Sequence, residues 1–213
     1  MQELHNYVIL IVVFILSLVL YWLFFVLTCR YTDRYLTEGK YVELAWTLVP
    51  VICLIRIAVP SLRLLYIMDD IGHPSFTFKA VGHQWYWSYE FAVKGSVDKQ
   101  ITFDSYMDKD AGKTYGYRLL DVDQRIVLPV GTEIRCLVTR TDVIHSFALP
   151  GCMLKVDGIP GRLNEVPIFV TICGVLYGQC SEICGANHSF MPIVVEFVPQ
   201  DVFTKWYAVT SEN

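Results

Sequence analysis

Val8-Ile-Leu-Ile-Val-Val-Phe-Ile-Leu-Ser-Leu-Val-Leu-Tyr-Trp-Leu-Phe-Phe-Val-Leu-Thr28 runs for 21 positions without a charge. At about 1.5 Å per residue, a helix of that length crosses roughly 30 Å of bilayer hydrocarbon. The stretch reads as a transmembrane helix over residues 8–28. Met1 to Tyr7 contains Glu3 and no Lys or Arg. A cleaved signal needs a positively charged start and a shorter apolar core, so this segment reads as a retained anchor.

A second, weaker span covers Ala45 to Met68 and contains Arg56, Arg63, Pro50 and Pro60. Its Leu, Ile and Val residues contribute roughly −4 to −7 kcal/mol to insertion, against about 2.5 to 3.5 kcal/mol for each mid-helix Arg. The two sums nearly cancel. Arg63 is close enough to the helix end to snorkel, and Arg56, seven residues earlier, shares its helix face, which should not meet lipid. The first helix carries no carboxylate within its span, so Arg56 is expected to meet another subunit, a lipid phosphate or trapped water. The connection Cys29 to Leu44 carries Arg30, Arg34 and Lys40, and the seven N-terminal residues carry no cation. Excess positive charge marks the inner side, which predicts an inside loop with both termini outside.

The remainder, residues 69–213, is expected to be one external domain. It holds 17 acidic and 12 basic side chains, a net charge of −5. An acidic external surface suits a basic protein partner and gives no support to nucleic-acid binding. Short alternating or β-branched runs recur between turn residues: Ser75–Val81, Gln100–Phe103, Arg125–Val130, Glu133–Arg140, Val166–Thr171 and Pro192–Val198. They predict an all-β antiparallel sandwich or barrel, with one terminal helix near Asp201 to Val209.

Seven cysteines are present, and Cys29 and Cys53 fall in the membrane region. Five outside is an odd number, so a complete disulfide framework is excluded. Cys136 and Cys173 read as core or inert positions, and Cys152 lies in a turn with no assigned role. Cys180-Ser-Glu-Ile-Cys184-Gly-Ala-Asn-His188-Ser-Phe-Met191 differs, because two thiols, an imidazole and a thioether fall within twelve residues. Thiolate with thioether selects copper, whereas zinc sites favour Cys, His and carboxylate. One Cys with His and Met would suit a mononuclear site; two thiolates can bridge two copper ions, each then needing an imidazole. His73, His83 and His145 are the other external histidines to consider. His145, at a strand-to-turn position in Thr141 to Pro150, is preferred, with Asp142 or a backbone carbonyl orienting its second nitrogen. Glu182 lies between the thiolates and offers either a hard-cation ligand or a solvated charge. A Cys180–Cys184 disulfide and a structural zinc site leave part of this set unexplained. A membrane-tethered copper chaperone or thiol-redox assembly factor stays as the alternative from another functional class.

Four segments, one of them extending the Cys180 to Met191 run, resemble cytochrome c oxidase subunit II of the mitochondrial type. They are Gly82-His-Gln-Trp-Tyr-Trp-Ser-Tyr-Glu90, Phe103-Asp-Ser-Tyr-Met107, Asp157-Gly-Ile-Pro-Gly-Arg162 and Tyr177 to Ile193, and Pro60-Ser-Leu-Arg63 joins them in the second helix. The resemblance implies a cupredoxin-like domain and a dinuclear CuA centre on His145, Cys180, Glu182, Cys184, His188 and Met191. It implies that Glu182 serves copper through its carbonyl, while its carboxylate reaches a magnesium ion shared with the catalytic subunit. Cytochrome c would deliver electrons at Trp85, for onward passage to haem a in subunit I. Glu90, Asp104, Asp123 and Asp142 are docking candidates. Glu43 matches a carboxylate at the inner mouth of a proton path, or is an ordinary helix-start acid. The implied location is the mitochondrial inner membrane, with both termini and the copper domain in the intermembrane space. Membrane lipid and the other oxidase subunits are the implied surroundings. The sequence departs from the family's pattern at Arg56, usually apolar, and in the loops Lys94–Gln100 and Lys109–Tyr115.

Overall fold

A computed structural model describes residues 2–35, 37–69, 72–92, 100–113 and 116–212. Most of the loop Lys94–Gln100, together with Thr114 and Tyr115, lies outside the described residues. The chain divides into two compact units, Met1–Asp70 and Ile71–Asn213.

The first unit is a helical pair, α1 (Gln2–Thr28) and α2 (Lys40–Asp69). Both begin ahead of the apolar runs, six residues early in α1 and five in α2. The apolar runs mark only the residues able to lie in hydrocarbon, whereas a helix continues into the polar boundary wherever its start can be capped. At α2 the cap is visible: the Gly39 N–H donates to the Glu43 carboxylate at 3.0 Å. Helix α2 continues through Pro50 and Pro60. A proline has no N–H, so each removes one bond to the carbonyl four residues earlier.

The second unit is built from β1 (Phe76–His83), β2 (Tyr86–Ala92), β3 (Gln100–Ser105), β4 (Ile126–Pro129), β5 (Ile134–Arg140), β6 (His145–Leu149), β7 (Leu154–Gly158), β8 (Asn164–Ile168), β9 (Gly174–Gln179) and β10 (Pro192–Val198), closed by α3 (Gln200–Glu212). One sheet has the order β3-β2-β1-β5-β8, a second β4-β10-β9, and β6 pairs with β7. The core between them is formed by Phe78, Trp87, Tyr89, Phe91, Ile126, Leu128, Ile134, Phe147, Ile193 and Phe197, all nearly inaccessible to solvent. Apolar burial of this kind, at roughly 25 cal/mol per Å², is what holds such a sandwich together. Helix α3 adds Phe203 and Trp206 edge-on to Phe76 and Phe91, at ring separations of 5.1 and 5.8 Å.

All six expected strands form, but the sheets are mixed rather than antiparallel. β1 runs parallel to β5, and β4 parallel to β10. Alternation reports which face of a strand is buried and says nothing of its direction. The long stretches joining these strands permit the crossover that parallel pairing requires. Cys136 is buried, as expected of a core residue, whereas Cys173 is exposed just before β9, which rules out the core reading for it and leaves the inert one.

Candidate metal centre

The site is set by a hairpin. β9 and β10 pair antiparallel with Gln179 opposite Pro192, so residues 180–191 form the loop that joins them. Cys180 and Met191 therefore stand side by side where the loop leaves and rejoins the sheet. Both are buried, as is Cys184. Ser181 N–H donates to the Ser146 carbonyl at 3.1 Å, tying the start of the loop to β6 beside His145.

The ligand atoms converge. The sulfurs of Cys180 and Cys184 lie 3.9 Å apart, and neither cysteine is in a disulfide. His145 Nδ1 is 3.9 Å from the Cys180 sulfur, and His188 Nδ1 is 3.4 Å from the Cys184 sulfur. Met191 Sδ lies 3.5 Å from the Cys184 sulfur, and the Cys180 thiol donates to the Glu182 carbonyl at 3.4 Å. One ligand atom each from His145, Cys180 and Cys184 falls within 4.8 Å of the others. Two sulfurs bound to one ion at roughly 2.3 Å sit at most about 4.6 Å apart, so the observed spacing fits a shared metal. Two thiols flanked by an imidazole on either side, with a thioether and a carbonyl behind them, form a soft donor set suited to copper.

The surroundings fix these ligands. His145 is fully buried, and its Nε2–H donates to Asp142 at 2.8 Å, which leaves Nδ1 facing Cys180. Burial opposes ionisation of Asp142, but hydrogen bonds from His145 and the Gln84 backbone outweigh it and hold the carboxyl below its usual range. Burial also pushes the Cys180 thiol up, yet the His145 imidazole and nearby backbone groups bring it well below an ordinary thiol. Burial and the adjacent Cys180 push Cys184 up. Without metal, one proton leaves the pair readily and the second resists.

Three residues not singled out from sequence complete the site. Gly82 leaves room for the imidazole, because a Cβ there would lie 2.9 Å from the His145 ring. Gln84 donates its backbone N–H to Asp142 at 2.7 Å and its side-chain amide to the Cys184 carbonyl at 2.9 Å. Ser146 anchors the loop as described. Gly82 and Gln84 lie inside the quoted Gly82–Glu90 segment, but sequence gives no sign of which partners they meet.

Trp85 precedes β2 and does not join Trp87 and Tyr89 in the core. It is half-buried, and its indole N–H donates to the Cys184 carbonyl at 3.2 Å. With Tyr106, Met107, Lys109, Asn187 and Phe190 it lines a surface hollow of about 500 Å³.

The docking candidates Asp142, Asp104 and Glu90 all lie near enough to act on His83, and Asp104 and Asp123 both bond Tyr106. Glu90 pairs with Lys79 at 2.9 Å. Asp104 accepts from Tyr106 at 3.4 Å, and Asp123 accepts the backbone N–H groups of Tyr106 and Gln124 at 2.8 and 2.7 Å. Asp142 belongs to the metal centre's own support. Among the described residues the Glu182 side chain has no bonded partner, and the Glu43 carboxylate caps α2.

Residues 1–64 match the family described as cytochrome c oxidase subunit II, transmembrane domain, and residues 76–198 match its periplasmic domain. The cytochrome c oxidase subunit 2 of Drosophila melanogaster is 51% identical over 210 residues, covering 98% of this chain and 90% of that protein. That of Drosophila bifasciata is 53% identical over 205 residues, covering 96% and 88%. The crystal structure of the periplasmic domain of cytochrome oxidase subunit II from Bradyrhizobium japonicum superposes with a TM-score of 0.60 at 43% identity, covering 67% of this chain and 97% of that one. A mixed-disulfide complex between a thioredoxin-like protein and a subunit II domain gives a TM-score of 0.56, also at 43% identity, covering 67% and 95%. The two matches together span both the helical pair and the metal-site domain, and the chain belongs to the cytochrome c oxidase subunit II family, as a two-pass membrane subunit of that oxidase.

Proposed function

We propose that this chain is the electron-input subunit of its oxidase, with a dinuclear copper centre of the CuA type held by His145, Cys180, Cys184, His188, Met191 and the Glu182 carbonyl. The observation that carries this reading is the pair of buried, unlinked sulfurs 3.9 Å apart, each faced by the Nδ1 of a different imidazole. A copper pair held by these residues would supply a one-electron relay between cytochrome c and haem a of the catalytic subunit. The protein's part is positional. Asp142 fixes the tautomer of His145, Gln84 and Trp85 together hold the Cys184 carbonyl, and the buried loop ends keep water from the sulfurs.

Trp85 is the proposed point of electron input, because its half-exposed indole is bonded directly to a ligand residue and lines the surface hollow. The net acidity of residues 69–213 favours a basic cytochrome c as donor, with Asp104 and Asp123 better placed to attract it than Glu90, which Lys79 already neutralises. The free Glu182 carboxylate is the proposed magnesium ligand, completed by the catalytic subunit. Glu43 keeps its helix-start role, and its use in proton uptake is an additional proposal. The division into a membrane unit and a copper domain, the placement in the mitochondrial inner membrane and the orientation with both termini in the intermembrane space complete the reading. Family membership sets aside the copper-delivery alternative.

Metal analysis and electron paramagnetic resonance on the full chain, purified in detergent and loaded with copper, test the proposal. Two coppers per chain sharing one unpaired electron are expected. A single copper with a mononuclear spectrum would overturn it.

A further inference from the structure

Arg56 lies near the middle of the second span. From Ala45 it is about 16 Å along the helix axis, and from Met68 about 18 Å, at about 1.5 Å per residue. Neither end is within reach of the side chain. Arg63 is only five residues from Met68 and shares a hollow with Glu3 of α1, so its charge has both a route to the boundary and an acid nearby. Arg56 has neither. The carboxylates of residues 2–69 are Glu3, Asp33, Glu38, Glu43 and Asp69, all at the ends of the spans or in the connecting loop. Among the described residues Arg56 has no ion pair or side-chain hydrogen bond.

Two further observations locate the missing partner. Cys53, Ile57, Pro60 and Leu64 form a half-buried stripe at spacings of four, three and four, and Arg56 is exposed on its flank, about 70° around the helix from the middle of the stripe. Pro60 also removes the N–H that would pair with the Arg56 carbonyl. One residue therefore presents an unpaired cation and a helix-orphaned carbonyl at one depth. Hydrocarbon satisfies neither group, whereas a carboxylate on a neighbouring helix satisfies the cation and leaves the carbonyl to a nearby donor.

We propose that Arg56 is a docking residue that pairs, inside the membrane, with an Asp or Glu on a transmembrane helix of another oxidase subunit. A lipid phosphate does not fit, because headgroups lie at the boundary that the side chain cannot reach. The pairing makes one flank of α2 specific for an acidic partner helix and compensates for the weak insertion of this span.

The direct test is the structure of the assembled oxidase. A carboxylate of another subunit within about 4 Å of the Arg56 guanidinium is expected. Acyl chains, a lipid phosphate or water alone at that position would overturn the proposal. A second test compares Arg56→Leu and Arg56→Lys in the full complex. Leu favours insertion, so the chain should still reach the membrane, as membrane extraction would verify. Its retention with the partner subunits in detergent should fall on the order of tenfold, because the partner carboxylate is left unpaired. Lys should retain most of the association. Equal retention of all three would overturn the idea.

Discussion

Asp142→Ala tests whether the support around His145 determines metal affinity. The carboxylate accepts three hydrogen bonds, from His145 Nε2 at 2.8 Å, Gln84 N at 2.7 Å and Val143 N at 2.7 Å. Removing it frees the imidazole to rotate or change tautomer, so Nδ1 no longer faces Cys180. Loss of such an outer partner typically lowers metal affinity about 10–100-fold, which corresponds to roughly 1.4–2.7 kcal/mol. The metal-free domain should also lose about 1–3 kcal/mol, because a buried donor is left without an acceptor. Asp142→Asn keeps an acceptor and should show a smaller loss of both. Copper affinity is read by competition with a chelator, and stability by thermal unfolding. A double-mutant cycle with His145→Ala gives the decisive comparison: on that background Asp142→Ala should have little further effect on affinity. If it costs as much there as in the wild type, the carboxylate does not act through His145 and the reasoning is refuted.

Gly82→Ala places a Cβ 2.9 Å from the His145 ring, and should lower both unfolding temperature and copper loading, with a stability loss of about 1–3 kcal/mol. A normal copper content in that variant would show that the imidazole can move aside. Mild oxidation of the metal-free chain should join Cys180 to Cys184, since their sulfurs are only 3.9 Å apart; thiol titration under denaturing conditions then falls from seven to five, and copper uptake returns only after reduction. Burial lowers the pKa of His83 below its usual 6.5, against the opposing pull of Asp142 and Asp104. The folded state therefore favours the neutral ring, and stability is lost as pH falls from about 6.5 through the lowered pKa. His83→Gln should flatten that part of the unfolding-temperature profile, and an unchanged profile would remove His83 from the account. Lys79→Gln unmasks Glu90 and should raise the association rate with cytochrome c at low salt; stopped-flow rates that do not change would exclude Glu90 from docking.

The parts of the fold readable from sequence were those with an unbroken local pattern. The 21 uncharged residues of α1 and the alternation in Glu133–Arg140 each need only their own neighbours to declare a structure. β7 and β9 were not legible because β7 is only five residues long and ends in Gly158, and β9 is broken by Gly178, for reasons that lie elsewhere. A Cβ on Gly178 would collide with the Ala148 carbonyl, and one on Gly158 would lie 2.8 Å from the Thr139 carbonyl. These glycines record close approach by strands distant in sequence. The same division holds at the site. Cys180 to Met191 fit in one loop and reveal soft-metal chemistry locally, whereas His145 could be chosen only by weighing the external histidines. Gln84 depends on contacts 58 and 100 residues away, and no local pattern marks it.

That distribution of partners bears on how the centre works. Three segments meet at the proposed metal site: the β1–β2 connection with Gln84 and Trp85, the start of β6 with His145, and the β9–β10 loop with the remaining proposed ligands. Each is tied to another by a bond that needs no metal, namely Gln84 to Asp142, Trp85 to the Cys184 carbonyl, and Ser181 to Ser146. These bonds hold the three segments against one another alongside whatever the metal contributes. A site held in this way resists movement of its ligands, and fixed ligands are what keep structural rearrangement small when an electron arrives or leaves. Loosening one tie without removing a ligand, as Gln84→Ala would, should therefore slow electron transfer more than it reduces copper content. Proportional loss of copper and rate would show instead that the ties serve metal retention alone.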